Sequence, residues 1–189
     1  MEHPLKTFQY CPVCGSHEFE ENNIKSKRCR SCGFVYYANA CSATVAFIVR
    51  SKNGQSKPDE LLVARRGKEP AKGTLDIVGG FVDMEESAEE GLLREITEET
   101  GMTVTMEDVR YLFSIPNLYE YSGMTIHTLD MFYLVRVDAD AEPHAHDDVA
   151  ELQWITFNKV DPSLFGLRSI SQGVHRFIAE RERFLRGEK

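Results

Sequence analysis

The segment "CSATVAFIVR", residues 41–50, is rich in β-branched and apolar residues and suits a mostly buried strand. A polar, turn-rich stretch, "SKNGQSKPDE", separates it from "LLVARR", which reads as its partner strand. "GTLDIVGGFV" follows, with glycines where the backbone bends or comes close to something. The period then changes. In "SAEEGLLREITEET", Leu92, Leu93 and Ile96 form an apolar side beside a carboxylate face. Ser87 and Glu90 fit a capping box, and Gly101 stands where a glycine would end the helix. "VRYLFSIPN", "HTLDMFYLVRV" and "AELQWITF" predict further strands, with "EPHAHDDV" a loop between the last two. Ile170, Val174, Phe177, Ile178 and Leu185 lie near helical spacing and predict a C-terminal packing helix. Mixed strands with one central and one terminal helix predict an α+β or α/β sandwich.

Composition changes this picture little. The 189 residues are enough for one well-packed domain with a small appendage, and 42% hydrophobic with 28% charged is ordinary for a globular chain. Apolar runs such as "ATVAFIV" and "MFYLV" are too short to span a bilayer, and "MEHPLKTFQY" lacks the basic and apolar regions of a signal peptide. The expectation is a cytoplasmic protein without a membrane partner.

Charge adds more. A net charge of −8 argues against a general polyanion binder. Yet "KSKRCR" is basic, while residues 83–99 hold seven glutamates and an aspartate. Lys25, Lys27, Arg28 and Arg30 could contact phosphates. The plainer reading is a solvated hairpin tip or compensation of an anionic metal unit.

Four of the five cysteines form two CxxC pairs, Cys11/Cys14 and Cys29/Cys32, each followed by glycine. Two intervening residues let both thiolates face one ion, and the 14 residues between the pairs suffice for a short hairpin. Four thiolates suit a closed structural Zn²⁺ site, so residues 1–38 read as a zinc ribbon and 39–189 as the main domain. Two disulfides or four separate buried thiols are the competing readings. The lack of an export signal weakens the first and the paired spacing weakens the second. Cys41 is expected to pack as a small apolar residue in a strand. His3 and His17 lack ligand spacing.

"REITEETGM" is costly as a helix surface. Glu95, Glu98 and Glu99 share one face, and like charges at i,i+4 each cost about 0.2–0.5 kcal/mol. A solvated face is the simplest account. The glycine-rich turn and acidic loop upstream point instead to Mg²⁺ or Mn²⁺, which favour hard oxygen ligands and convert the repulsion to attraction.

Gly80, five residues, Glu86, seven residues and then "REITEETGM" match the Nudix box G-x5-E-x7-R-E-U-x-E-E-x-G-U, U being bulky and apolar. Every fixed position is met: Gly80, Glu86, Arg94, Glu95, Ile96, Glu98, Glu99, Gly101 and Met102. The chain therefore resembles the Nudix hydrolases. That resemblance implies an α/β/α sandwich with a mixed sheet, here preceded by the small ribbon. It also implies hydrolysis of a nucleoside diphosphate linked to another moiety. On this chain the implied Mg²⁺ or Mn²⁺ ligands are Glu95, Glu98, Glu99 and the Gly80 carbonyl. Glu98, Glu95 and Arg94 are the implied catalytic group, with Arg94 orienting a glutamate and Glu86 supporting the loop. The general base differs among Nudix enzymes. A box glutamate is one candidate; Asp148 and Glu151, in the loop before Trp154, are others. Arg65 and Arg66 could hold a phosphate. Val78 replaces the proline that often precedes the two glycines, and this removes no ligand.

A zinc ribbon before a Nudix domain resembles the NADH pyrophosphatases, some of which act on NAD-capped RNA. Their downstream SQPWPFPxS motif is absent, its region reading "SIPNLYEYSG". Pro116 is similar to a proline of ADP-ribose pyrophosphatases, and Tyr119 to a tyrosine of dinucleoside polyphosphate hydrolases. Tyr119 and Phe81 could each stack on a base or pack internally. The expected substrate is a nucleotide of NAD(H), ADP-ribose or dinucleotide type. One alternative is a nucleoside triphosphate pyrophosphohydrolase. Another is a ribbon that binds nucleic acid such as RNA, with the Nudix fold as ligand sensor, although such sensors usually carry a damaged box. The resemblance also implies a homodimer.

Overall fold

A computed structural model describes residues 2–52 and 57–187. Residues 53–56, in the middle of the predicted polar loop, lie outside the described residues. The chain forms two compact units: Met1–Cys41 with Leu118–His127, and Ser42–Asn117 with Thr128–Lys189.

In the first unit β1 (Phe19–Asn23), β2 (Ser26–Cys29) and β3 (Val35–Tyr37) form an antiparallel sheet in the order β1-β2-β3. The β1–β2 hairpin is the connection expected between the two cysteine pairs. Backbone N–H groups of Gly15 and Gly33 close each knuckle onto the carbonyls of Cys11 and Cys29, at 2.9 and 3.0 Å. Lys27, expected among solvated charges, is buried. It donates to the Phe8 carbonyl at 2.7 Å. His17 lies against the Tyr10 ring, and His3 contacts the Asn23 carbonyl. Cys41 does begin a strand but is exposed, correcting the packed position expected of it, because burial in that strand starts only at Thr44.

The second unit is built on six strands. They are β4 (Cys41–Arg50), β5 (Glu60–Arg66), β6 (Leu75–Asp76), β7 (Val109–Tyr121), β8 (Met124–Arg136) and β9 (Val149–Thr156). The sheet runs β6-β5-β4-β8-β7, with β9 antiparallel to β5. Helix α1 (Ala88–Thr100) lies between β6 and β7, and α2 (Arg168–Arg186) closes the chain. Strands β7 and β8 extend beyond their predicted segments, to 13 residues each.

Alternation along the strands sorts the core into two layers, since successive side chains point to opposite faces. Val45, Phe47, Val49, Leu61, Val63, Phe132 and Leu134 pack with Ile170, Val174 and Phe177 of α2. Ala46, Ile48, Leu62, Tyr133 and Val135 pack with Leu92 and Ile96 of α1. A sheet covered on both sides explains why β4 reads as a continuous apolar run rather than an alternating one. Gly173 lets α2 approach the sheet, because any side chain there would enter the Phe132 ring. The result is an α/β/α sandwich. Among the described residues no helix is long and apolar enough to cross a membrane.

Candidate active site

Helix α1 has the ends its sequence predicts. Ser87 accepts the Glu90 N–H at 3.2 Å, and the Glu90 carboxylate returns the bond to the Ser87 N–H at 2.8 Å. Gly101, at φ 68°, ends it in the left-handed conformation. Leu92 and Ile96 anchor one side in the core, leaving Arg94, Glu95 and Glu98 on the other.

Arg94 organises the carboxylates. Its Nε and Nη2 donate to the two oxygens of Glu86 at 2.8 and 3.1 Å, a two-pronged pair. Its Nη1 reaches Glu95 at 2.8 Å and Glu98 at 3.0 Å, while Nη2 also reaches the Phe81 carbonyl at 2.9 Å. Every direction of the guanidinium fork is thus committed. Glu86 also accepts the Asp83 N–H, and these bonds, Arg94's first, hold its carboxyl below the usual range.

Glu99 turns inward. It is buried, and its Oε2 accepts the Gly79 N–H at 3.0 Å. Burial pushes its carboxyl up to about 8, and Asp76, Glu95 and Asp148 add like-charge repulsion. Glu95 is raised as well, by burial first and then by Glu98 and Asp147. The three glutamates therefore share a helix but not an environment: side-chain exposure is 16% at Glu95 and 48% at Glu98.

The glycine pair brings backbone against this face. A Cβ on Gly80 would lie 2.5 Å from the Glu95 carboxylate, and one on Gly79 would collide with the Thr44 carbonyl. The Gly80 carbonyl accepts the Thr44 N–H at 2.8 Å, leaving its second lone pair uncommitted by that bond.

The loop "EPHAHDDV" docks on the end of α1. His144 and His146 donate backbone N–H groups to the carbonyls of Thr100 and Glu99, at 2.9 and 3.1 Å. Those carbonyls would otherwise end the helix unsatisfied. Docking carries Asp147 and Asp148 near the carboxylate cluster, where both pair with Lys68. Glu151, expected in this loop, lies in β9 and pairs with Arg65 at 3.2 Å, because the strand begins at Val149.

Arg65 and Arg66 end β5, within the strand expected of "LLVARR". Arg65 also donates to the Gly73 carbonyl at 2.8 Å, and Arg66 pairs with the half-buried Asp76. Phe81 is half-buried beside Ala43. Tyr119 belongs to the first unit, near the β7–β8 turn. Sequence reasoning missed Asp76 and Lys68. An aspartate inside the apolar run "TLDIV" was the available signal for the first; Lys68, in a charged loop, offered none.

In the first unit Cys11, Cys14, Cys29 and Cys32 bring their Sγ atoms within 4.8 Å of one another. The Cys11–Cys32 and Cys14–Cys29 separations are 3.7 and 3.6 Å. A disulfide needs about 2.05 Å, whereas thiolates about 2.3 Å from a tetrahedral ion stand about 3.8 Å apart. The four thiols thus have the spacing of one metal-sized cage.

The profile of the NUDIX domain family matches residues 42–175. A protein of Deinococcus radiodurans named NAD-capped RNA hydrolase NudC is 29% identical over 151 residues, covering 80% of this chain and 50% of that protein. Its namesake in Vibrio vulnificus is 25% identical over 160 residues, covering 85% of this chain and 55% of the relative. The chain thus spans about half the length of these relatives. A NUDIX hydrolase of Nitrosomonas europaea superposes with TM-score 0.62 at 17% identity, over 93% of each chain. The NUDIX domain of Shewanella oneidensis NrtR, solved with ADP ribose, gives TM-score 0.61 at 18% identity, over 78% of this chain and 90% of that one. These two likenesses establish the fold.

Proposed function

The chain belongs to the NUDIX family, and from that premise we propose that it is a metal-dependent hydrolase cleaving the pyrophosphate bond of a nucleoside diphosphate joined to another moiety, of NAD(H), ADP-ribose or dinucleotide type. The observation that carries this reading is the convergence of Glu86, Glu95 and Glu98 on Arg94, next to the buried Glu99. Similarity to two NAD-capped RNA hydrolases supports the substrate class.

In this reading Glu95, Glu98, Glu99 and the Gly80 carbonyl hold Mg²⁺ or Mn²⁺. The donor set fits, being hard oxygen ligands, two of them carboxyls raised by burial first and by neighbouring carboxylates after it. Divalent cations bound there supply charge neutralisation for the diphosphate and acidify water. The chain's own work is positioning. Arg94 fixes Glu95 and Glu98 relative to the Glu86 loop, so that the ligands need little rearrangement. Glu98, the most exposed of the three, serves as base toward water; Asp148, paired with Lys68, and Glu151, paired with Arg65, are the other candidates. Phe81, whose carbonyl Arg94 holds, is the proposed substrate contact of this unit, whereas Arg65 and Arg66 are engaged by Glu151 and Asp76. Cys11, Cys14, Cys29 and Cys32 hold a structural Zn²⁺ in a ribbon comprising residues 1–38, with residues 39–189 as the hydrolase domain. A cytoplasmic location and a homodimer belong to the same reading.

The test is incubation with Mg²⁺ or Mn²⁺ and a panel of NADH, ADP-ribose, diadenosine polyphosphates and nucleoside triphosphates, with products identified by mass. Metal-dependent AMP release, lost in Glu98→Gln, supports the proposal. Pyrophosphate release from a triphosphate replaces the substrate class, and no turnover of any member overturns the reading.

A further inference from the structure

Residues 107–110, the end of β8 and the last turn of α2 enclose a cleft of about 290 Å³ that shares no residue with the carboxylate cluster. Three arginines reach it from three elements: Arg110 on β7, Arg136 on β8 and Arg186 on α2. Arg110 is the anomaly. Its Nη2 is buried without a hydrogen-bond partner among the described residues. Burial first, and then repulsion from Arg136, disfavours its charge.

Among the described residues none nearby resolves the imbalance. Arg136 spends Nη2 on the Leu185 carbonyl. Asp108, at the rim, is turned to Thr105, accepting its N–H at 3.0 Å and its hydroxyl at 2.8 Å. Glu107 is exposed. Gly187 ends α2 without a side chain; a Cβ there would sit 3.0 Å from Arg110 Nη1. An unpaired, partly dry cation is costly, and a planar guanidinium matches an oxyanion with two parallel bonds. The guanidinium groups of Arg110 and Arg136, arriving from neighbouring strands, present donors in several directions. A tetrahedral phosphoryl group offers matching acceptors, whereas a carboxylate offers two oxygens in one plane.

We propose that this cleft is a phosphate-binding site, in which Arg110 and Arg136 grip a phosphoryl group and Arg186 closes its mouth. The ligand is a free phosphate or a phosphate of a nucleic-acid strand; both present the same oxygens. The proposal is independent of the hydrolase reading.

Equilibrium dialysis of the whole chain against labelled inorganic phosphate, without divalent metal and at constant ionic strength, tests it. Omitting the metal leaves the glutamate cluster repulsive to phosphate. The expected result is one phosphate per chain, with affinity lowered roughly tenfold or more in Arg110→Gln and in Arg136→Gln and partly kept in Arg110→Lys. Thermal unfolding in chloride confirms folding; should Arg110→Gln fail it, Arg136→Gln and Arg110→Lys carry the comparison. Displacement of the label by a short single-stranded oligonucleotide identifies strand phosphate as the ligand. Failure to displace it identifies free phosphate, and either supports the site. Absence of bound label, or equal affinity in wild type and variants, overturns it.

Discussion

Arg94 holds Glu86 by two bonds, Nε to Oε1 at 2.8 Å and Nη2 to Oε2 at 3.1 Å, and so ties the loop before α1 to the middle of the helix. A single ammonium cannot reproduce that grip while also reaching Glu95 and Glu98. Arg94→Lys is therefore predicted to keep the fold but lower kcat roughly 10- to 100-fold, the scale expected when catalytic groups lose alignment. Steady-state kinetics with circular dichroism checks this, and an unchanged kcat would sink the positioning role.

The close approach of Gly80 to Glu95 gives a second prediction. With 2.5 Å between an added Cβ and the carboxylate, Gly80→Ala must displace Glu95. Mg²⁺ or Mn²⁺ affinity should fall roughly tenfold or more with the far-ultraviolet spectrum unchanged. Titration calorimetry measures it directly.

Metal removal should expose a pH dependence of stability. Burial raises the Glu99 carboxyl from its ordinary 4.5 to about 8. Between those values the folded chain keeps a proton that the unfolded chain has released. Stability from this group is complete below pH 4.5 and is lost as pH rises toward 8, at about 1.4 kcal/mol per unit. Glu95 and Asp76, raised chiefly by burial, act in the same direction. Urea midpoints of metal-free protein should fall with rising pH, Glu99→Gln should flatten the trend, and Mg²⁺ should oppose it. A trend identical in wild type and Glu99→Gln would refute the assignment.

On the opposite face of the sheet, Gly173→Ala would force a methyl into the Phe132 ring. Overpacking of this kind costs about 1–3 kcal/mol. Denaturant unfolding should show that loss while kcat stays near wild type, because Gly173 touches α2's side of the core.

The cysteine cage predicts one zinc per chain by elemental analysis. Substituting Cys29, which is fully buried, with serine should abolish the metal and the cooperative melting of the ribbon. Retained zinc would contradict a four-thiolate site.

Much of this was readable before any coordinates. Helix α1 was legible because its caps and its apolar stripe are local, needing only neighbours within four residues. The box positions were legible because they form one contiguous motif. What escaped was non-local. Glu99 looks equivalent to Glu95 and Glu98 until Gly79 arrives from 20 residues upstream. Arg65 and Arg66 looked available until Glu151 and Asp76 were brought beside them by β9 and β6. Cys41 and Lys27 exchanged their expected exposure, since burial at a strand end or hairpin depends on which distant segment covers it.

The docking of His144 and His146 on the end of α1 uses main-chain atoms alone. Two backbone bonds, indifferent to side-chain identity, moor the segment bearing Asp147 and Asp148 to the C-terminal end of α1. The stretch just ahead is tied to the sheet as well, the Val137 N–H donating to the Val49 carbonyl at 3.1 Å and Arg50 Nη1 to the Ala141 carbonyl at 3.0 Å. The two aspartates thus owe their place to the path of the chain, and the imidazoles beside them are spare parts of that arrangement.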